Sequence, residues 1–129
     1  MSGAAILCAM VLHLAAWHPE PGYNSDTPGI GVSCERGAAL VAAGSMRNSE
    51  GGESRYLVGG LYAGAWGPLK AGAVLGVVDG YRRNHGGPLP VAAGLLAVDL
   101  GAGFGARFLI VPPVDKGSAA VHLAITRRF

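Results

Sequence analysis

Apolar residues along this chain come in short alternating runs, cut at close intervals by glycine, proline and small polar residues. Beyond Pro28, the runs 30–35, 38–46, 55–66, 71–79, 90–100, 104–111 and 120–129 read as strands. The breaks between them carry turn chemistry: Asn48, Ser49 and Gly51-Gly52 in one, Gly67-Pro68 in the next, then Asn84 to Pro88 and Pro112 to Gly117. A first strand at 10–17 brings the count to eight, joined by hairpin-length connections. Eight is the smallest common closed barrel, so the predicted fold is an all-β, eight-stranded antiparallel closed β-barrel occupying the single domain 1–129.

The two faces of these strands say what surrounds the barrel. In the last strand Val121, Leu123, Ile125 and Phe129 share one face and His122, Ala124, Thr126 and Arg128 the other, with Arg127 out of pattern. In 55–66 the face of Tyr56, Val58, Gly60, Tyr62, Gly64 and Trp66 opposes Leu57, Gly59, Leu61, Ala63 and Ala65, so both faces are apolar. A barrel in water needs a polar outer face. A membrane barrel has lipid outside, and a small one fills its inside with side chains, so the pattern predicts a transmembrane barrel. Tyr56, Tyr62, Trp66 and Tyr81 fall near strand ends, where an interfacial aromatic girdle or ordinary core packing would place them. Phe129 after an alternating last strand is a placement common in bacterial outer-membrane barrels.

Composition agrees. Glycine fills 22 of 129 positions and charged residues only 14%, while apolar residues reach 50%. That much apolar surface excludes disorder, and the glycines lack the period of three that collagen requires. Glycine and proline interrupt every candidate transmembrane helix. A net charge of +2 with scattered arginines gives no footprint for nucleic acid. Residues 1–16 are apolar and small, read either as part of an export signal or as the first strand; they lack a basic n-region and a clear cleavage site.

Candidate chemistry is sparse. Cys8 and Cys34 read as two buried free thiols, although a hairpin turning near Gly22 would also bring them opposite each other for a disulfide. No cluster has metal-ligand spacing, so no metal or cofactor is expected. The glycines around Phe104 precede no helix and form no phosphate loop. Arg107 lies mid-strand, where a lipid-facing charge costs about 2–4 kcal/mol. It is therefore expected to point inward and pair with a carboxylate, Asp99 being nearest along the chain. His13 and His18 differ in strand parity unless a bulge intervenes, which would keep them out of one site.

Several strings then occur in a familiar order: Trp17-His18, Tyr23-Asn24, Pro28-Gly29-Ile30-Gly31, Arg47-Asn48-Ser49, Gly59 to Trp66 with Pro68-Leu69, Leu75 to Gly80, Pro88-Leu89-Pro90-Val91, and Arg128-Phe129. From Trp17 onward the chain resembles the PagP-like family, lipid A palmitoyltransferases of the outer membrane together with short uncharacterised bacterial and phage members. The resemblance implies an eight-stranded barrel in the bacterial outer membrane, with phospholipid and lipid A as partners and no metal or soluble cofactor. It implies a catalytic His at His18 and a Ser at Ser49. Asn48 stands where the family has Asp, and an Asn keeps a hydrogen bond but offers an imidazolium no charge. Glu50 or Glu53 could supply that carboxylate. The family's amphipathic helix has no counterpart in the few residues before the first strand.

Two functions follow. One is a monomeric outer-membrane barrel that is structural or lipid-binding and has lost the chemistry; Asn48 favours it. The other is a phospholipid-to-lipid A acyltransferase with His18 as general base and Ser49 and Asn48 orienting or stabilising.

Overall fold

The structure, a computed structural model, describes residues 5–19, 22–82, 85–112 and 119–129. Eight strands follow in chain order: β1 (Leu7–Trp17), β2 (Asp26–Arg36), β3 (Ala39–Arg47), β4 (Glu53–Trp66), β5 (Leu69–Val78), β6 (Leu89–Gly101), β7 (Phe104–Val111) and β8 (Ala120–Arg128). Each pairs antiparallel with its neighbour in sequence, and β8 pairs with β1, so the sheet closes on itself with no free edge. The predicted strands are all present. β2 starts earlier than the sequence suggested, with Pro28 inside it. Its pairing with β3 begins only at Gly29, so the missing proline N–H is not demanded on that side.

The two rims differ. At one, Gly37-Ala38, Gly67-Pro68 and Ala102-Gly103 turn the chain in two residues each. Gly37 and Gly67 have φ of 59° and 60°, the left-handed first position that a tight hairpin turn demands. The opposite rim carries the longer connections 18–25, 48–52, 79–88 and 112–119. Strands β1 and β8 begin and end at the short-turn rim respectively.

Side chains alternate between lumen and exterior, and large apolar residues point out. Leu12, Ile30, Val41, Leu57, Leu61, Leu75 and Ile110 are all exposed. The lumen is filled on one side by Leu40, Val74, Ala93 and Leu95, with Val58, Tyr62, Leu109 and Val111 against them. On the other side the buried residues are polar: His13, Thr27, Ser33, His122 and Thr126.

Bulges break the alternation at three places and move side chains to the other face. One between Tyr62 and Gly64 puts Trp66 outside, where it is exposed, although simple alternation groups it with Tyr56. Of the two placements open to Tyr56 and Tyr62, interfacial girdle or interior packing, both take the interior one and hydrogen-bond in the lumen. Exposed Trp17, Trp66, Phe104 and Phe129 occupy the rims instead. The Tyr56 ring fits because Gly31 and Gly44 leave the adjacent strands bare; a Cβ on Gly44 would stand 2.7 Å from the Tyr56 hydroxyl and 2.6 Å from the Ile30 carbonyl.

Cys8 and Cys34 are register partners in the β1–β2 ladder, their Cα atoms 4.0 Å apart, and they form a disulfide. The expectation of free thiols is thereby overturned. A separation of 26 residues said nothing decisive, whereas the hairpin register sets the two directly opposite. Such bonds persist in oxidising compartments.

Replacing Gly44 by Val should crowd Tyr56 and the β2 backbone. A loss of about 1–3 kcal/mol is expected, the usual penalty for overpacking. The urea midpoint of the folded barrel, compared with wild type, measures it.

Candidate functional site

The long-loop rim carries His18, Asn48 and Ser49, the residues that the resemblance singled out for catalysis. His18 follows β1 directly, and a bulge between His13 and Ala15 decides where it faces. Past that bulge Ala16 pairs with His122 on the lumen side and Trp17 pairs with Val121 outside, so the next lumenward position is His18. The parity argument that separated His13 from His18 is corrected by this single irregularity. The His18 ring stacks on Tyr23, centroids 5.0 Å apart and planes 18° from parallel. Its Nδ1 is buried and has no hydrogen-bond partner. Burial pushes the His18 pKa below the ordinary imidazole value.

Asn48 does architectural work. It is 1% exposed. Its Nδ2 donates to the Ser54 hydroxyl at 2.9 Å and the Gly80 carbonyl at 3.0 Å, while its Oδ1 accepts from the backbone N–H of Glu50 at 2.9 Å and Gly52 at 3.0 Å. All four side-chain bonds are thus spent on closing the β3–β4 loop and tying it to the β5–β6 loop. An Asp there would lose both donations. Ser49 lies beside it, half-buried, and its carbonyl accepts from the Asn24 N–H at 2.7 Å, which joins the β1–β2 loop to the same unit.

The carboxylates of this rim are engaged with other loops. Glu50 accepts from the Arg82 N–H at 2.6 Å, with the Arg82 guanidinium 3.8 Å away. Asp79 accepts from the Arg55 backbone at 2.7 Å and pairs with the Arg55 guanidinium at 2.9 Å, and these bonds hold its carboxyl below the usual carboxylate range. Glu53 is exposed at the start of β4. Among the described residues, no carboxylate hydrogen-bonds or ion-pairs with His18. The rim therefore brings His18, Asn48 and Ser49 to one end of the barrel without supplying the charge that would orient a catalytic imidazole.

Beneath this rim lies a polar lumen that sequence reasoning largely missed. His13 Nε2 meets the Tyr56 hydroxyl at 2.6 Å, His13 Nδ1 meets His122 Nε2 at 2.8 Å, and His122 Nδ1 faces the Thr27 hydroxyl at 3.4 Å. Nearer the short-turn rim, Glu35 accepts from Lys70 at 3.0 Å, Arg107 at 2.9 Å and Tyr62 at 3.1 Å. Arg107 does point inward as the cost of a lipid-facing charge demanded, but its partner is Glu35 on β2 rather than Asp99. Asp99 instead caps the backbone of Gly101 at 2.9 Å. The alternation of β8 placed His122 on the inner face; nothing in the sequence placed it against His13, 109 residues away. No group of metal-ligating side chains forms among the described residues.

No family model and no curated protein matches the chain. Solved structures do. The de novo designed TMB2.3 is 13% identical with a TM-score of 0.72, the alignment covering 100% of this chain and 98% of that one. The N-terminal β-barrel domain of Pseudomonas aeruginosa OprF gives 13% and 0.64, over 99% and 100%. The Yersinia pestis outer membrane protein Ail, solved in a phospholipid bilayer nanodisc, gives 11% and 0.55, over 97% and 100%. At these identities the likeness is one of fold, and the fold is a closed eight-stranded antiparallel barrel of the kind found in outer-membrane proteins.

Two outcomes follow for the rim. Asn48→Ala orphans buried partners in two loops and should cost about 1–3 kcal/mol, seen as a lower urea midpoint and faster proteolysis of the loops. For His18 the folded pKa is depressed, so the unfolded chain takes up the proton first and the fold loses stability as pH falls below the usual ~6.5. His18→Gln should flatten that part of the decline between pH 8 and 5, measured as the difference in urea midpoints from wild type.

Proposed function

We propose that this chain is a monomeric β-barrel of the bacterial outer membrane, catalytically silent at its long-loop rim and acting through its contact with lipids as a structural or lipid-binding element. The observation that carries this reading is the inverted barrel. Large aliphatic side chains cover the exterior while His13, His122, Glu35, Lys70 and Arg107 turn inward. A protein surrounded by water rarely exposes so continuous an apolar surface. Lipid removes the penalty, and a closed ring leaves no unpaired backbone in the hydrocarbon. Strands of 8 to 14 residues suit a tilted membrane crossing. Trp17 at one rim and Trp66, Phe104 and Phe129 at the other supply amphipathic and aromatic groups at the two interfaces. Short turns on one side and longer loops on the other support an orientation with the short turns toward the periplasm.

A second reading keeps the PagP-like resemblance whole and makes the chain a phospholipid-to-lipid A acyltransferase. The shared rim of His18 and Ser49, with a buried Nδ1 left open on His18, favours it. The absence of a carboxylate on that imidazole and the structural employment of Asn48 weigh against it.

Expression in a Gram-negative host separates the readings. The protein should fractionate with the outer membrane and migrate faster on a gel unboiled than boiled; recovery as a soluble protein without that shift would sink the membrane reading. Lipid A mass spectra should be identical with and without the protein. An added acyl chain that disappears in His18→Ala would replace the silent reading with the enzymatic one.

A further inference from the structure

The lumen has two unlike halves. Apolar side chains from β3 to β6 fill one, while the wall formed by β8, β1 and β2 carries a ladder of polar groups, joined by Tyr56 reaching across from β4. Those polar groups form a chain. With Tyr56 Oη donating to His13 Nε2 at 2.6 Å, the proton of neutral His13 sits on Nδ1 and is donated to His122 Nε2 at 2.8 Å. That in turn leaves the His122 proton on Nδ1, facing Thr27 Oγ1 at 3.4 Å. The reverse orientation, with Thr27 donating at one end and Tyr56 accepting at the other, satisfies the same links. The register sets this chain along the barrel rather than across it: Thr27 and His122 sit near the long-loop rim, His13 opposite Gly29, and the Tyr56 hydroxyl over Gly31 and Gly44.

Each end of the chain meets an open polar atom. His18 Nδ1 is buried and unpartnered at the long-loop rim, two residues past Ala16, the register partner of His122. Ser33, 1% exposed, lies between Tyr56 and the Glu35–Arg107–Lys70 cluster, and its hydroxyl is likewise without a partner. It borders a cavity of about 110 Å³ that opens at the short-turn rim and is also lined by Glu35, Lys70, Arg107 and Thr126. Buried polar atoms next to a polar cavity of this size take up ordered water.

We propose that the column Tyr56–His13–His122–Thr27 is a proton relay through the barrel, fed by water at Ser33 and at His18, so that the barrel passes protons and no other ion. The inference rests on the membrane-spanning reading above. A proton arriving from water at the Ser33 end attaches to Tyr56 Oη as the phenolic proton moves to His13 Nε2. The Nδ1 proton of His13 passes to His122 Nε2, and the Nδ1 proton of His122 leaves to Thr27 or to water. One proton enters and one leaves, no atom is oxidised or reduced, and rotation of the hydroxyls and rings resets the donors. A pH difference or a membrane potential drives the step.

The surroundings suit protons and exclude larger ions. Leu40, Val74, Ala93 and Leu95 fill the lumen beside the relay with apolar side chains. Arg107 places a fixed cation at its lower end, and Glu35 at 2.9 Å offsets that charge for a proton on the relay. Among the described residues, the charged groups facing the column are Arg107 from β7, Glu35 from β2 and Lys70 from β5, all in one linked cluster.

The test uses the full chain refolded into phosphatidylcholine vesicles that contain a pH-sensitive dye, with the potential clamped by potassium and valinomycin. Insertion is read first, from unboiled gel mobility and protease protection. A chain that stays outside the bilayer removes the membrane reading, and the relay with it. For the inserted barrel, the interior should acidify after an external pH drop faster than in protein-free vesicles, and more slowly in deuterated water. Tyr56→Phe keeps the ring and deletes one hop, and its flux should fall by about 100-fold, the scale of losing one positioned proton-transfer group. An inserted barrel with the flux of empty vesicles overturns the relay while leaving the membrane reading intact. So does a flux that Tyr56→Phe leaves unchanged, or one accompanied by chloride leakage, which would mark a water-filled pore.

Discussion

An eight-stranded antiparallel ring encloses a lumen just wide enough for side chains. That width governs the remainder of the molecule. Most inward positions are small, apolar and interlocking, or polar and paired, because little room is left to solvate a polar group. Gly31 and Gly44 are bare so that the Tyr56 ring can cross them. Having crossed, its hydroxyl must find a partner, and His13 supplies one; His13 then needs His122, and His122 faces Thr27. Charge obeys the same rule. Arg107 and Lys70 point inward because a lipid-facing position would cost too much, and both converge on Glu35.

The exterior is the complement of that interior. Once the polar side chains are consumed inside, aliphatic residues are left to face outward, and the barrel suits lipid. The disulfide between Cys8 and Cys34 fastens the β1–β2 ladder near the short-turn rim, close to where β8 closes the ring against β1. At the opposite rim three loops are stitched by backbone and side-chain bonds rather than by packing, with Asn48 at their centre.

This division bears on chemistry. A general base needs an orienting partner as well as a position, and the rim gives His18 a stacking tyrosine but no carboxylate among the described residues. The side chain that the resemblance places next to it is committed to holding the loops. The lumen, by contrast, contains a line of groups, each able to donate and accept, held in sequence by four different strands.

The sequence by itself determined the number of strands and their approximate places along the chain, the closed barrel and the apolar exterior, because strand alternation and turn chemistry are local properties of neighbouring residues. It also determined that Arg107 must face inward, since the cost of the alternative is local too. What only the tertiary structure decided were partners and phase. A one-residue bulge after His13 puts His18 on the lumen side, and another before Gly64 puts Trp66 on the outside; neither leaves a mark in composition or periodicity. The pairing of Arg107 with Glu35, of His13 with His122 and of Cys8 with Cys34 depends on which strands the closed ring brings side by side and in what register. Register is fixed by the fit of all eight strands at once, and no stretch of the chain carries that information alone.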